Sequence, residues 1–185
     1  MALKSTVFKA ELQIADMDRG YYGTHAVTLA QHPSENDERL MVRLLAYALH
    51  AGAGEEPLSF ANGMTQTDEP ELWRRSLVGE VELWIDVGLP DEKWLRRASN
   101  RSEAVVLYTF GRNAPLWWTQ QRGALERFAN LRVRQLGAAS TQALAALAQR
   151  SMRLQITVQD GHLWVADDRE SVEVELVEVK EARER

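Results

Sequence analysis

Gly79-Glu80-Val81-Glu82-Leu83-Trp84-Ile85-Asp86-Val87-Gly88-Leu89-Pro90 decides how the chain folds. Val81, Leu83, Ile85 and Val87 alternate with Glu80, Glu82, Trp84 and Asp86, which is the two-residue period of a β-strand. One side is aliphatic; the other holds three carboxylates around a tryptophan. Such a strand is either an ordinary amphipathic strand with a solvated acidic face or one wall of a metal site. Trp84 weakens the first reading, because a large aromatic on the acidic side calls for cover. Covered carboxylates are paired with Arg or held for a purpose. Four strand residues span roughly 13 Å, so Glu82 and Asp86 cannot serve one Mg²⁺ equally with ligands near ~2.1 Å. One of them would bind directly, and the other through a water, a bulge or a second ion.

Upstream of this strand, Leu3 to Ile14 alternates as a strand, and Tyr21 to Ala30 follows the turn Ala15–Gly20 as its hairpin partner. Pro33 closes that strand, and Ser34 with Asp37 fits a capping box for a helix from Glu35 to His50. Ala51-Gly52-Ala53-Gly54 stops the helix. Leu58 to Ala61 suits a short strand, and Pro70 to Ser76 a short helix with proline in its first turn. Downstream, Asp91 to Ala98 reads as a short basic helix. Ala104 to Phe110 is almost continuously apolar, as expected of a strand covered on both faces in the middle of a mixed or parallel sheet. Pro115 to Asn130 reads as a helix, Leu131 to Leu136 as a strand and Ser140 to Gln149 as an Ala-rich helix. Met152–Val158, His162–Ala166 and Val172–Val179 complete a terminal antiparallel meander, and 180–185 forms a frayed tail. The order predicts an α/β or α+β fold: a single domain over 1–185 with a mixed β-sheet and flanking helices.

The 185 residues include no cysteine, which excludes disulfides, thiolate zinc sites and cysteine nucleophiles. Four widely spaced histidines argue against a His-rich metal site. A net charge of −5 makes the surface as a whole unattractive to nucleic acid, yet leaves room for a local basic groove. No apolar run approaches membrane-spanning length and no signal-peptide core opens the chain, so the expected location is the cytoplasm. G-x-S-x-G, Walker A and G-x-G-x-x-G patterns are all missing.

Three further groups draw attention. Glu38 lines up at helical spacing with Met41, Val42, Leu45 and Leu49, so it either favours the helix dipole from the first turn or is aimed along the buried stripe. Lys93, Arg96 and Arg97 follow the acidic strand as a solvated basic face or a phosphate contact. Trp117-Trp118, beside Gln120, Gln121 and Arg122, offers one ring to the core and one to a stacked base.

His32-Pro-Ser-Glu, Glu38-Arg39 to Leu49, Asp68-Glu-Pro-Glu-Leu-Trp, Glu82-Leu-Trp-Ile-Asp-Val-Gly-Leu-Pro-Asp and Ile156-Thr-Val-Gln-Asp-Gly resemble the YaeQ family over essentially the whole chain. The resemblance implies a small bacterial cytoplasmic protein with a variant of the PD-(D/E)XK nuclease core, αβββαβ, extended by the N-terminal hairpin and the C-terminal meander. It further implies a divalent-metal-dependent phosphodiesterase. Glu38, Glu82 and Asp86 would be the Mg²⁺ or Mn²⁺ ligands, with Lys93 as a stand-in for the motif lysine. Two alignments remain open. Gly79-x-x-Glu82 matches the acid of the second core strand, or else Asp86-Val87-Gly88 matches the (D/E)-x-K with Pro70-Glu71 as the proline–acid pair. In the second alignment Gly88 replaces the lysine; in the first, neither acid nor lysine falls near Val105–Thr109. The alternative function is a non-catalytic descendant of that fold, binding nucleic acid or a protein.

Overall fold

A computed structural model describes residues 4–183. The chain divides into two compact units, Met1–Gly52 with Ala139–Glu175, and Ala53–Ala138 with Leu176–Arg185. Each has its own mixed sheet, so the α+β expectation holds, with two sheets where one was expected.

In the first unit, β1 (Thr6–Asp16) and β2 (Tyr21–Gln31) form the expected hairpin, paired without a slip from Thr6↔Gln31 to Asp16↔Tyr21. The turn before β2 passes through Gly20 at φ 66°. β8 (Ser151–Gln159) lies parallel to β1, and β9 (His162–Ala166) and β10 (Ser171–Glu173) continue antiparallel, giving the order β10-β9-β8-β1-β2. Helix α1 runs from Asp37 to His50, and its N-cap is Asn36, whose side chain accepts from the Arg39 N–H. Ser34, the expected cap, instead meets His32 Nδ1 through its hydroxyl at 2.7 Å. Every residue of α1 from Leu40 to Ala46 is buried, Arg43 included, a wider buried surface than the expected stripe. Met41, Leu44 and Leu45 gather with Leu12, Leu154, Ile156, Val165 and with Leu144 of α4 (Ala138–Ala146).

In the second unit, β3 (Ser59–Phe60), β4 (Leu72–Arg75) and β5 (Val81–Val87) form an antiparallel run. The Pro70–Ser76 segment is thus a strand entry and not a helix. Leu72, Trp73 and Arg74 pair with Ile85, Trp84 and Leu83, and tertiary pairing overrides the helix-start signal of Pro70. Helix α2 (Glu92–Arg101), capped by Asp91, leads to β6 (Ser102–Thr109), and α3 (Ala114–Leu125) leads to β7 (Leu131–Leu136). β5, β6 and β7 are parallel neighbours, and β6 is the covered central strand that its apolar run predicts. Trp84, Val105, Leu107, Leu131 and Val133 on one sheet face pack with Leu95 and Ala98 of α2 and Leu125 of α3.

The terminal meander divides. β11 (Leu176–Lys180) leaves β10 and pairs antiparallel with β7, closing the order β11-β7-β6-β5-β4-β3. The 180–185 tail is not frayed at its start. Lys180 is buried, and its Nζ donates to Phe128 O at 3.0 Å and Leu131 O at 2.8 Å. Arg183 N donates to Ala129 O; Glu184 and Arg185 lie outside the described residues, as does Leu3.

Candidate functional site

The acidic strand is β5, and its alternation is real but both faces are covered. Trp84 is 1% and Asp86 4% exposed. They share a face, as the period demands, because Trp84 Nε1 donates to Asp86 Oδ2 at 2.7 Å across two residues. Trp94 Nε1, from the first turn of α2, donates to the same oxygen at 2.6 Å. Asp91 sets this up by capping the Trp94 N–H at 2.8 Å, which fixes where α2 begins and therefore where the second indole lies. The two indole rings meet edge to face with centroids 6.2 Å apart. Burial pushes the Asp86 carboxyl up to about 6, against the opposing pull of the two indole N–H groups and with a further push from the Glu71 charge.

Glu71 stands one residue before β4, its N–H donating to Ile85 O, so it is the cross-strand neighbour of Asp86. It is 5% exposed. Of the two motif alignments left open by the sequence, this pairing of Pro70-Glu71 with Asp86 is compatible with the second. The place of the lysine in that alignment, Gly88, has φ 103° and ends the strand. A Cβ there would meet nothing within 4 Å. Thr109, at the end of β6, is fully buried, and its Oγ1 has no hydrogen-bond partner among the described residues; the same is true of Gln135 Oε1, its β7 partner in register.

The other expected residues are placed as follows. Glu82 sits where the β4–β5 register slips, and Arg74 Nε reaches its Oε2 at 3.3 Å. A bulge is one of three devices, alongside a water and a second ion, that would let Glu82 and Asp86 differ in role; here the irregularity accompanies a contact between Glu82 and Arg74. Lys93 is exposed on α2. Glu38 belongs to the first unit, half-buried in the first turn of α1, and accepts from Thr141 Oγ1 at 2.7 Å. The structure therefore keeps Glu82, Asp86 and Lys93 in one unit and gives each of the three acids a donor. Among the described residues no three His, Asp or Glu side chains are grouped as metal ligands. The indoles hold Asp86 through Oδ2 and Arg74 holds Glu82 through Oε2, so a Mg²⁺ or Mn²⁺ ion would have to use the remaining oxygen of each carboxylate.

The indole partner Trp94 and the buried Thr109 and Gln135 escaped the sequence reading. Asp91-x-x-Trp94 was the available signal for Trp94, since a cap fixes the direction of the residue three positions on. Trp117 and Trp118 are both half-buried and pack against the core cluster, so both serve the core in part. The stretch of chain that carries them is basic. From Glu92 to Arg127 seven Lys and Arg residues stand against three acidic ones, and Lys93, Arg101, Arg112 and Arg122 are exposed.

An α+β protein with two mixed sheets, a carboxylate buried under tryptophans on the second and a basic stretch of chain over 92–127 defines the class. The chain belongs to the YaeQ family, whose model ("YaeQ protein") matches residues 1–176 and so runs through both units. It is 42% identical over 177 residues to the YaeQ proteins of Escherichia coli (strain K12) and Salmonella typhi, covering 95% of this chain and 96% of each relative. The crystal structure of YaeQ from Xanthomonas axonopodis pv. citri matches with TM-score 0.89 at 49% identity, covering 95% of this chain and 98% of that one. That of YaeQ from Pseudomonas syringae matches with TM-score 0.89 at 36% identity, covering 97% and 98%. Among the described residues no helix is long and apolar enough to cross a membrane.

Proposed function

We propose that this chain is a nuclease-like module that binds nucleic acid without hydrolysing it. The observation that carries the reading is the state of Asp86: buried and held on one oxygen by two indole N–H donors. A carboxylate so engaged serves the packing of α2 on its sheet. Glu82 gives Oε2 to Arg74 and Glu38 gives Oε1 to Thr141, so each is tied to a donor of the protein. The binding half of the proposal rests on charge. In a chain of net charge −5, the segment from Glu92 to Arg127 carries an excess of four positive charges, and Lys93, Arg101, Arg112 and Arg122 point it at solvent. Phosphate contacts of this kind give affinity that falls with salt and carries little sequence preference.

The test is a fluorescence titration with single- and double-stranded DNA and RNA at several salt concentrations, beside incubation with Mn²⁺. Expected are salt-dependent binding, a shallower salt slope for Lys93→Glu/Arg122→Glu, and intact substrate. Absence of binding to all four substrates sinks the proposal.

A second reading, the divalent-metal-dependent phosphodiesterase, is favoured by one observation. The order α1-β3-β4-β5-α2-β6 repeats the αβββαβ plan, and Glu71 lies opposite Asp86 on it. Mn²⁺-dependent cleavage that disappears in both Glu38→Ala and Asp86→Ala would establish that reading in place of the first.

A further inference from the structure

The four sheet edges among the described residues are not alike. β10 is three residues long and carries Glu173. β3 is two residues long. β11 is interrupted by a register shift between Glu178 and Lys180, both charged. Shortness, charge and bulges are the usual devices that stop an edge from pairing with another chain. β2 has none of them. It is eleven residues, Tyr-Tyr-Gly-Thr-His-Ala-Val-Thr-Leu-Ala-Gln, without Asp, Glu, Lys, Arg or Pro. It keeps register with β1 at every position, so it offers about 37 Å of regular edge. Arg43 Nη2 covers one carbonyl near its end, Ala30 O, at 2.8 Å. Thr24, Ala26, Thr28 and Ala30 on its outer face are exposed, and Tyr22 is 64% exposed.

We infer that β2 is the contact by which two copies of this chain associate, antiparallel and edge to edge about a two-fold axis at Ala26. The strand is its own complement in that register. Thr24 faces Thr28 of the second copy, a favourable cross-strand pair, and Tyr22 covers Ala30. No charged side chain opposes another on either strand. The nearest like charges on this face, Glu11 of each copy, lie three strand spacings apart, about 14 Å, beyond the ~8 Å screening length of physiological salt. Five strands from each copy then run as one continuous sheet. A foreign extended peptide is the poorer occupant, because edge recognition of peptides takes its specificity from side-chain pockets, and this edge offers alanine and threonine. The inference concerns the first unit and does not rest on the nucleic-acid reading.

Sedimentation velocity of the full chain over a range of concentrations tests it. The wild type should reach twice 21.0 kDa. Ala26→Lys puts two ammonium groups face to face on the axis and should sediment as one chain, with an unchanged circular-dichroism spectrum and melting transition. Ala26→Glu should do the same. An equimolar mixture of the two variants should recover the doubled mass, since only there does Lys face Glu; a destabilised monomer would not be rescued in this way. A wild type that stays a single chain at every concentration, including one that instead takes up extended peptides, overturns the inference. So do variants that remain paired, or a mixture that stays apart.

Discussion

Glu35 and Asp86 are both buried carboxylates, one in each unit, and their surroundings answer them in opposite ways. Glu35 is met by cations. Arg43 Nε donates to Oε1 at 2.7 Å, Arg43 Nη2 to Oε2 at 2.8 Å, and Arg39 Nη1 reaches Oε1 at 3.4 Å. Asp86 is met by neutral indoles. A guanidinium fork supplies opposite charge as well as two directed hydrogen bonds; an indole supplies a hydrogen bond only. Neutral donors therefore leave part of the cost of burying charge uncompensated, and the Asp86 carboxyl rises to about 6. The first arrangement fixes α1 against β2 through Arg43, which also binds Ala30 O. The second leaves the second unit with a group that can change charge near neutrality.

The comparison is broken first by removing Arg43. Arg43→Met leaves Glu35 with Arg39 as its remaining cation and Ala30 O without its donor, and should cost about 3 kcal/mol, the low end of the penalty for removing one member of a buried pair. Urea unfolding reads it directly. A loss below about 1 kcal/mol would mean that the pair behaves like a surface salt bridge and that the contrast is false.

Removing the acceptor in the second unit should cost a similar amount. Asp86→Leu orphans two indole N–H groups at roughly 1–3 kcal/mol each, offset in part by the apolar volume gained. A net loss of about 2–4 kcal/mol is expected. Asp86→Asn keeps a carbonyl oxygen for the indoles and should fall well short of that. Equal losses for the two variants would show that the charge, and not the acceptor, matters at this position.

The same residue predicts a pH dependence with a definite sign. Its folded value, about 6, lies above the ordinary 3.8, so between these values the folded chain binds more protons than the unfolded one. Stability from protonated Asp86 is present in full below about pH 4 and declines as pH rises through 6. Asp86→Asn does not titrate. Its stability relative to wild type should therefore improve between about pH 4.5 and 7.5 by an amount on the order of 2–3 kcal/mol, measured as paired urea midpoints. A difference that stays flat with pH removes Asp86 as the titrating group.

These contrasts are unevenly legible in the sequence. Periodicity and turn chemistry expose the hairpin, the α1 helix and the covered strand β6, because those elements obey local rules: Gly20 at a turn, alternation in Thr6–Asp16, an unbroken apolar run before Thr109. The split into two sheets is not legible. It depends on β11 crossing to β7 while β10 stays with β9, and both segments read alike as amphipathic strand. Pro70 gives a helix-start signal that strand pairing overrules. At the site, Trp84 correctly signals cover over the acids. The donors are hidden because Trp94, Arg74 and Thr141 reach their carboxylates from other elements, in the last case across 103 residues. Lys180 reads as tail because nothing local marks a lysine that will bind the carbonyls of Phe128 and Leu131.

The smallest effect concerns the lysine that the nuclease pattern calls for. Gly88 has open space around a would-be Cβ, whereas a Cβ on Gly52 in the first unit would run into the Tyr21 ring. Both glycines have positive φ, 103° and 73°. Gly88→Ala should therefore carry the backbone term alone, about 1–2 kcal/mol, and Gly52→Ala that term plus the displaced ring, so the second variant should unfold at clearly lower urea. Gly88→Lys carries the same backbone term, and its Cβ enters the same open space. It should not create Mn²⁺-dependent cleavage. A lysine held at φ 103° leaves the strand in a different direction from one that continues β5, and Asp86 beside it would still be held by Trp84 and Trp94. Cleavage gained by Gly88→Lys would show that the indole-bound carboxylate is free to take a metal after all, and that only the cation was missing.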